Sequence, residues 1–402
     1  MIVCVAGKND IAANVLQLCV KTIGRDNVLA IPNRDDFAKH TWQKSLKKEA
    51  SDLGVKLVSL SDVYDINNLI FLSVEFDRIL NPERFRTSFI YNIHFSLLPK
   101  YKGVYTAIWP LVNGEKETGV TLHLIEKGID TGPIIDQVAF PIQIHDNARV
   151  IYFRCLELGY DIIAKNLHDL ITGNVNPRRQ LSVDSTYYSA DSINFSNVSV
   201  NMKQTAYQLH NHIRAFSFQE YQFPVVHGYR ISSSRILDNI SVSKPGTIID
   251  DNETCLSIST IDYDLLLLKD FSYDLFQGVE NSDLDQVKRY ASLVENINIT
   301  NKMGWSPLMI AAYHNNAQVA HELIERGADI NQTNKNGTTI LMYAKDGAFK
   351  DSNTGVLDIL INKKADINAR DNTGKSVLDY CEELNQYALL DYFKTALLWI
   401  NN

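Results

Sequence analysis

Residues 91–103, YNIHFSLLPKYKG, follow the apolar approach SFI (88–90) and set an amide, Asn92, and an imidazole, His94, two positions apart where an apolar run ends. In extended backbone, residues i and i+2 project to the same side, so a strand here presents both polar groups on one face near its carboxyl end. Four runs of similar character precede it: IVCVAG (2–7), NVLAIP (27–32), VKLVSL (55–60) and NLIFLSV (68–74). Polar segments with helical spacing, such as IAANVLQLCVKTIG (11–24), separate them. Apolar runs spaced by helices read as buried parallel strands. Further strand-like segments at 119–126 and 132–140 and a long amphipathic helix over 150–171 complete an α/β domain, expected to span residues 1–182.

Open α/β sheets bind ligands at the carboxyl ends of their strands, where Asn92 and His94 would lie. Asp130, flanked by glycines in GIDTGP (128–133), is a third strand-end group. An amide N–H can steady an oxyanion, a neutral imidazole can accept a proton from an attacking amine, and a carboxylate can orient that imidazole and balance its charge. The trio suits acyl transfer to an amine, with no nucleophilic Ser or Cys. Two other readings stand beside it. Asn-x-His also occurs as ordinary strand-end polarity, and His94, His123 and Asp130 would make a metal site, though without tight ligand spacing. His210 and His212 read as surface or packing groups.

After NVNPRRQ (174–180) the chain turns polar. A helix over 202–216 and strand-like pieces at 224–231, 246–250, 255–261 and 264–271, with a turn at DDNE (250–253), predict a small mainly-β domain with a linker helix over 183–270. The tail repeats itself. NKMGWSPLMIAAY begins at Asn301, NKNGTTILMYA follows 33 residues later at Asn334, and RDNTGKSVLDY begins at Arg370. The loop AFKDSN (348–353) is expected to absorb the extra residues of the last interval. This layout resembles the ankyrin repeat, which predicts an all-α domain over 271–402, with a degenerate copy at 274–293 and a closing helix at 382–400 as caps. Trp305 follows a turn glycine at a position the repeat leaves open, which nominates it as a stacking platform for a second ligand such as a nucleotide-sugar. A protein partner is the other expectation for this domain.

Composition narrows the field. The formal net charge of -8 argues against nucleic acid or an anionic membrane as main partner. Cys4, Cys19, Cys155, Cys255 and Cys381 are scattered without a CxxC pair, so neither structural zinc nor a disulfide framework is expected. No run approaches bilayer length and no secretory leader is visible, so the sequence reads as a cytoplasmic protein.

The pattern NxHxSLLPxxKG followed by GxDTGPII resembles the folate-dependent formyltransferases, over most of residues 1–180. The resemblance implies a Rossmann-like formyltransferase core, Asn92, His94 and Asp130 as the catalytic set, 10-formyltetrahydrofolate as donor and no metal. The family's folate pocket is built from loops that correspond here to 73–80 and 125–130, nominating Ser73, Phe76, Leu80, Lys127 and Gly128. Its first loop, which contacts the acceptor, nominates Asn9; Lys100, Lys102 and Tyr105 are further candidates for holding the acceptor. Departures from the commonest pattern occur at Phe95, often small, and at Lys102, often Arg.

The combination with a small β domain and ankyrin tail looks closest to the bacterial dTDP-amino-sugar N-formyltransferases, particularly those acting on dTDP-3-amino-3,6-dideoxyhexoses for O-antigen and lipopolysaccharide synthesis. That likeness implies a homodimer and a nucleotide site in IRAFSFQEYQFP (213–224), with Arg214 on the diphosphate and Phe218, Tyr221 or Phe223 stacking on thymine. Residues 271–402 carry 12 Lys and Arg against 17 Asp and Glu, which disfavours a tRNA acceptor. The competing functional classes are an ankyrin scaffold with a vestigial transferase core and a formyltransferase for another amine.

Overall fold

The computed structural model describes residues 1–181 and 183–400; the boundary expected at residue 182 and the final residues 401–402 lie outside them. The chain divides into two compact units, one of residues 1–39 and 43–269, the other of residues 40–42 and 270–402.

The first unit is organised by a seven-stranded sheet of β1 (Ile2–Gly7), β2 (Val28–Pro32), β3 (Lys56–Leu57), β4 (Leu69–Val74), β5 (Ile90–His94), β6 (Glu117–Leu124) and β7 (Ile134–Pro141), in the order β3-β2-β1-β4-β5-β6-β7. The first five are parallel to one another, β6 pairs antiparallel with β5, and β7 pairs antiparallel with β6. Burial on both faces explains why β1 and β4 are apolar almost throughout. Val3, Val5, Ile70, Leu72 and Ile93 pack against the helices α1 (Asn9–Ile23) and α2 (Ala148–Thr172), while Cys4, Phe71 and Ile90 face a second core with Val63 and Phe85. Each large aliphatic side chain so buried contributes about 1.5–3 kcal/mol. The run VKLVSL delivers only two ladder residues, Lys56 and Leu57, both exposed at the sheet edge. The strand order reverses between β1 and β4, which opens a crevice at their carboxyl ends.

Helix α3 (Ala206–Phe216) starts four residues later than its apolar spacing suggested, because Thr205 and Gln208 close a capping box there. Its Leu209 and Ile213 pack on a five-stranded antiparallel sheet, while Ala215 and Phe216 reach the main core. That sheet contains a strand the sequence reading cut short: Tyr229–Ile240 runs on through SSSRILDNI, its serines paired against Leu267 and Leu268. Three consecutive serines break an apolar pattern, while backbone pairing resumes after a register shift between Ile231 and Ser233.

The described residues of the second unit form four helix pairs: Ser272–Glu280 with Leu284–Ala291, Pro307–Tyr313 with Ala317–Glu325, Ile340–Asp351 with Gly355–Asn362, and Val377–Glu383 with Tyr387–Ile400. Each internal turn is built alike. The Oδ1 atoms of Asn301, Asn334 and Asp371 accept from backbone N–H groups two and four residues on. Ser306, Thr339 and Ser376 then cap the next helix. Residues 348–353 correct the expectation of an inserted loop: the helix continues to Asp351 and ends on Ser352 in the left-handed conformation, so the extra residues lengthen a helix.

Candidate active site

Register builds the centre of the site. Ser73 on β4 pairs with Asn92 on β5, and Asn92 pairs with His123 on β6, so three polar side chains stand in a row across neighbouring strands. Ser73 Oγ donates to Asn92 Oδ1 at 2.8 Å, and Asn92 Nδ2 lies 3.1 Å from His123 Nε2. Leu124 O accepts from His123 Nδ1 at 2.7 Å, which leaves His123 Nε2 as the acceptor for Asn92. The amide is thus held from both ends, with Nδ2 also directed toward Asp130 Oδ1 at 3.5 Å.

His94 sits two residues further along β5. Its Nε2–H donates to Tyr101 O at 2.8 Å, which fixes the tautomer and leaves Nδ1 as the proton acceptor when the ring is neutral. Nδ1 is 3.6 Å from Asp130 Oδ2. Asp130 has φ 53°, and its loop is tied by Gln180 Nε2, which donates to the carbonyls of Asp130 and Gly132 at 2.8 Å. Gly103 N–H donates to Asp130 Oδ2 at 2.8 Å; a Cβ at Gly103 would meet Tyr188 O at 2.0 Å, so only glycine lets that backbone approach. Asn92, His94 and Asp130 therefore converge from two segments far apart in sequence. Among the described residues no group of three or more His, Cys, Asp or Glu side chains is disposed to hold a metal ion.

His123 was read from sequence only as part of a metal alternative. Burial foremost, then the facing His94, lowers its pKa to about 4. An unfolded His titrates near 6.5, so between pH ~6.5 and ~4 the unfolded chain binds a proton that the folded chain does not. The stability held by neutral His123 is complete above pH ~6.5 and is lost as pH falls. We expect denaturant unfolding to show a shallower loss between pH 7 and 5 in His123→Gln than in wild type. The His123 ring resonances should stay those of a neutral imidazole at pH 5.5.

The trio opens into a cleft of about 580 Å³. Ser73, Phe76, Leu80, Gly128 and Tyr105 line it, together with Glu75, which sequence reading passed over. Its apolar wall includes Ile93, Phe95, Ile125 and Ile129. Asn9 reaches its edge by donating from Nδ2 to Glu75 Oε2.

Several other candidates lie elsewhere. Lys127 is exposed outside the cleft wall, and Lys100 Nζ pairs with Glu115 at 3.2 Å. Lys102 holds a short ladder with Tyr187 and does not line the cleft.

Arg214 lies outside the cleft and lines a separate cavity with His145, Asn147 and His210. It is 5% exposed, its Nη1 donates to the carbonyls of Gln143, Ile144 and Asp146, and its Nε donates to Asn211. A guanidinium committed to backbone carbonyls staples α3 to the segment before α2. Phe218 packs on Tyr152 and Tyr221 at centroid distances of 5.7 and 4.9 Å, and Phe223 lies beneath Arg230 at 5.6 Å; none of the three aromatics, Phe218, Tyr221 or Phe223, lines the cleft.

In the second unit, Trp305 is half-buried, 4.7 Å from Tyr343 and 5.4 Å from Tyr313. Part of its indole packs on the repeat core, more than the sequence expectation allowed.

Comparison with known proteins agrees with this architecture. A formyl transferase family model matches residues 1–167, and a model of three ankyrin repeats matches residues 275–371. The solved structure of WlaRD, a sugar 3N-formyl transferase in the presence of dTDP and 5-N-formyl-THF, is 42% identical over 67% of this chain and 97% of its own, with a TM-score of 0.64. An N-formyltransferase from Helicobacter canadensis, in complex with folinic acid and dTDP-3-aminofucose, is 41% identical over 67% of this chain and all 100% of its own, also at a TM-score of 0.64. Methionyl-tRNA formyltransferase of Synechocystis sp. is 31% identical over 44% of this chain and 52% of its own length. The chain thus spans about half the length of the first curated relatives it matches. Identity at this level over nearly the whole of two sugar formyltransferases means that the chain belongs to the formyltransferase family, with an ankyrin repeat array joined to that fold.

Proposed function

We propose that this protein transfers a formyl group from 10-formyltetrahydrofolate to the amine of a dTDP-linked 3-amino-3,6-dideoxyhexose, a step suited to O-antigen synthesis. The single observation that carries the reading is the convergence of Asn92, His94 and Asp130 at the mouth of a cleft large enough for a pteridine ring. The ligands named for the two similar sugar formyltransferases, a formylated folate and a dTDP or dTDP-sugar, support the choice of donor and acceptor. In this reading residues 1–182 carry the chemistry, 183–270 form the small β domain and 271–402 the repeats.

The donor supplies a formyl carbon activated by its bond to a ring-bearing nitrogen. Asn92 Nδ2–H steadies the oxyanion that develops as the sugar amine attacks, its orientation fixed by Ser73 and His123. His94 Nδ1 takes the proton released by the attacking nitrogen and returns it to the departing folate nitrogen as the old C–N bond breaks. Asp130, 3.6 Å away, balances the transient imidazolium. Phe76, Leu80 and Ile125 offer the apolar wall on which a pteridine would lie.

Two measurements bear on this reading. Incubating the protein with 10-formyltetrahydrofolate and a panel of dTDP-amino sugars should yield a mass gain of one formyl group on a 3-amino sugar; gain on initiator methionyl-tRNA instead would overturn it. Ser73→Ala should lower kcat roughly 5-fold with little change in folate affinity, because one neutral hydrogen bond worth ~1 kcal/mol holds the amide in place. An unchanged kcat would show that Asn92 needs no such support.

A further inference from the structure

One carboxyl of the cleft has half of its hydrogen-bonding capacity committed and half open. Glu75 follows β4 directly, with φ 54°, a conformation L residues rarely adopt. Its carbonyl accepts from Asn33 Nδ2 at 2.9 Å, which pins the turn. Its Oε2 accepts from Tyr152 Oη at 2.9 Å and from Asn9 Nδ2 at 3.1 Å, and Asn9 Nδ2 also lies 2.6 Å from Tyr152 Oη. Oε1 has no protein partner among the described residues, and Glu75 lines the cleft with Ser73, Asn92 and His94.

Three elements therefore fix this carboxyl: the first residue of α1, the end of β4, and α2. Burial raises its pKa, with Lys8, Tyr152 and Asn9 pulling the other way. Lys8 lies 3.9 Å from Asp35, and among the described residues no cation bonds Glu75 directly. A half-buried carboxyl whose water a ligand displaces loses free energy unless the ligand returns a hydrogen bond, and the transfer chemistry of Asn92, His94 and Asp130 makes no use of it. A ligand hydroxyl would satisfy Oε1. The distance suits one: Glu75 is two residues past Ser73, a span of roughly 6–7 Å along a strand, and Ser73 grips the amide that faces the formyl group.

We propose that Glu75 Oε1 accepts a hydrogen bond from a hydroxyl on the ring carbon next to the acceptor's amine, and so selects sugars that carry amine and hydroxyl side by side. Tyr152 and Asn9 are positioning residues, holding Oε2 so that Oε1 faces the cleft. The inference rests on the reading of this cleft as an amino-sugar formyltransferase site.

The test compares wild type with Glu75→Gln, which keeps an acceptor oxygen for Tyr152 and turns an amide N–H toward the cleft. Acceptors are a dTDP-3-amino-3,6-dideoxyhexose and its analogues lacking the 2- or the 4-hydroxyl. With the full sugar, kcat/KM should fall roughly 10–100-fold, with KM for 10-formyltetrahydrofolate and the melting midpoint unchanged. On one of the deoxy analogues, wild type and variant should agree within about twofold. Equal losses on all three acceptors, or no loss on the full sugar, would overturn the proposal. Failure of wild type to formylate any sugar nucleotide would instead refute the transferase reading beneath it, and would be seen before any variant is compared.

Discussion

Replacing His94 with Asn should lower kcat by about 10²–10⁴-fold while leaving the fold intact, because the variant loses the proton acceptor and one local hydrogen bond. The ring is 7% exposed, and its Nε2–H already belongs to Tyr101 O, so only Nδ1 is available for chemistry. The Asn amide takes the place of the Nδ1 edge and gives up the bond to Tyr101 O, a neutral hydrogen bond worth ~1 kcal/mol, which the fold can lose. The measurement is steady-state turnover alongside folate binding: kcat should collapse while the donor's Kd stays within a few-fold of wild type. Turnover near wild type would remove His94 from the mechanism.

Asp130→Ala should have an effect of similar size for a different reason. Its Oδ2 lies 3.6 Å from His94 Nδ1 and accepts the Gly103 N–H at 2.8 Å, so the carboxylate both balances the imidazolium and anchors the facing loop. We expect kcat/KM to fall by about 10³-fold, roughly the worth of losing ~4 kcal/mol of transition-state stabilisation. Asp130→Asn separates the two roles. Its side-chain oxygen can still receive the Gly103 N–H, so a variant that folds and binds folate normally yet turns over slowly would assign the loss to missing charge.

The sequence made the strand ends legible, because apolar runs that stop at a polar pair need no long-range information. It also exposed the repeat period, since turns anchored by Asn301 and Asn334 recur in the chain itself. What it could not supply was register. Nothing local says that His123 lies opposite Asn92, or that Glu75 meets a tyrosine 77 positions away, because those adjacencies are made by strand pairing and helix packing. Arg214 illustrates the same limit. A cation beside aromatics suggests a nucleotide, while its burial and its bonds to three backbone carbonyls are properties of the folded chain. Residues 348–351 were misassigned because a lengthened helix and an inserted loop shift the repeat period equally.

The most direct test follows the one-carbon unit itself. With 10-formyltetrahydrofolate carrying a ¹³C formyl carbon and a dTDP-3-amino-3,6-dideoxyhexose, NMR of the products should place the label in a formamide on the sugar nitrogen. Tetrahydrofolate should be released in equal amount. Label recovered as free formate, or tetrahydrofolate released with the sugar unmodified, would contradict transfer by Asn92, His94 and Asp130.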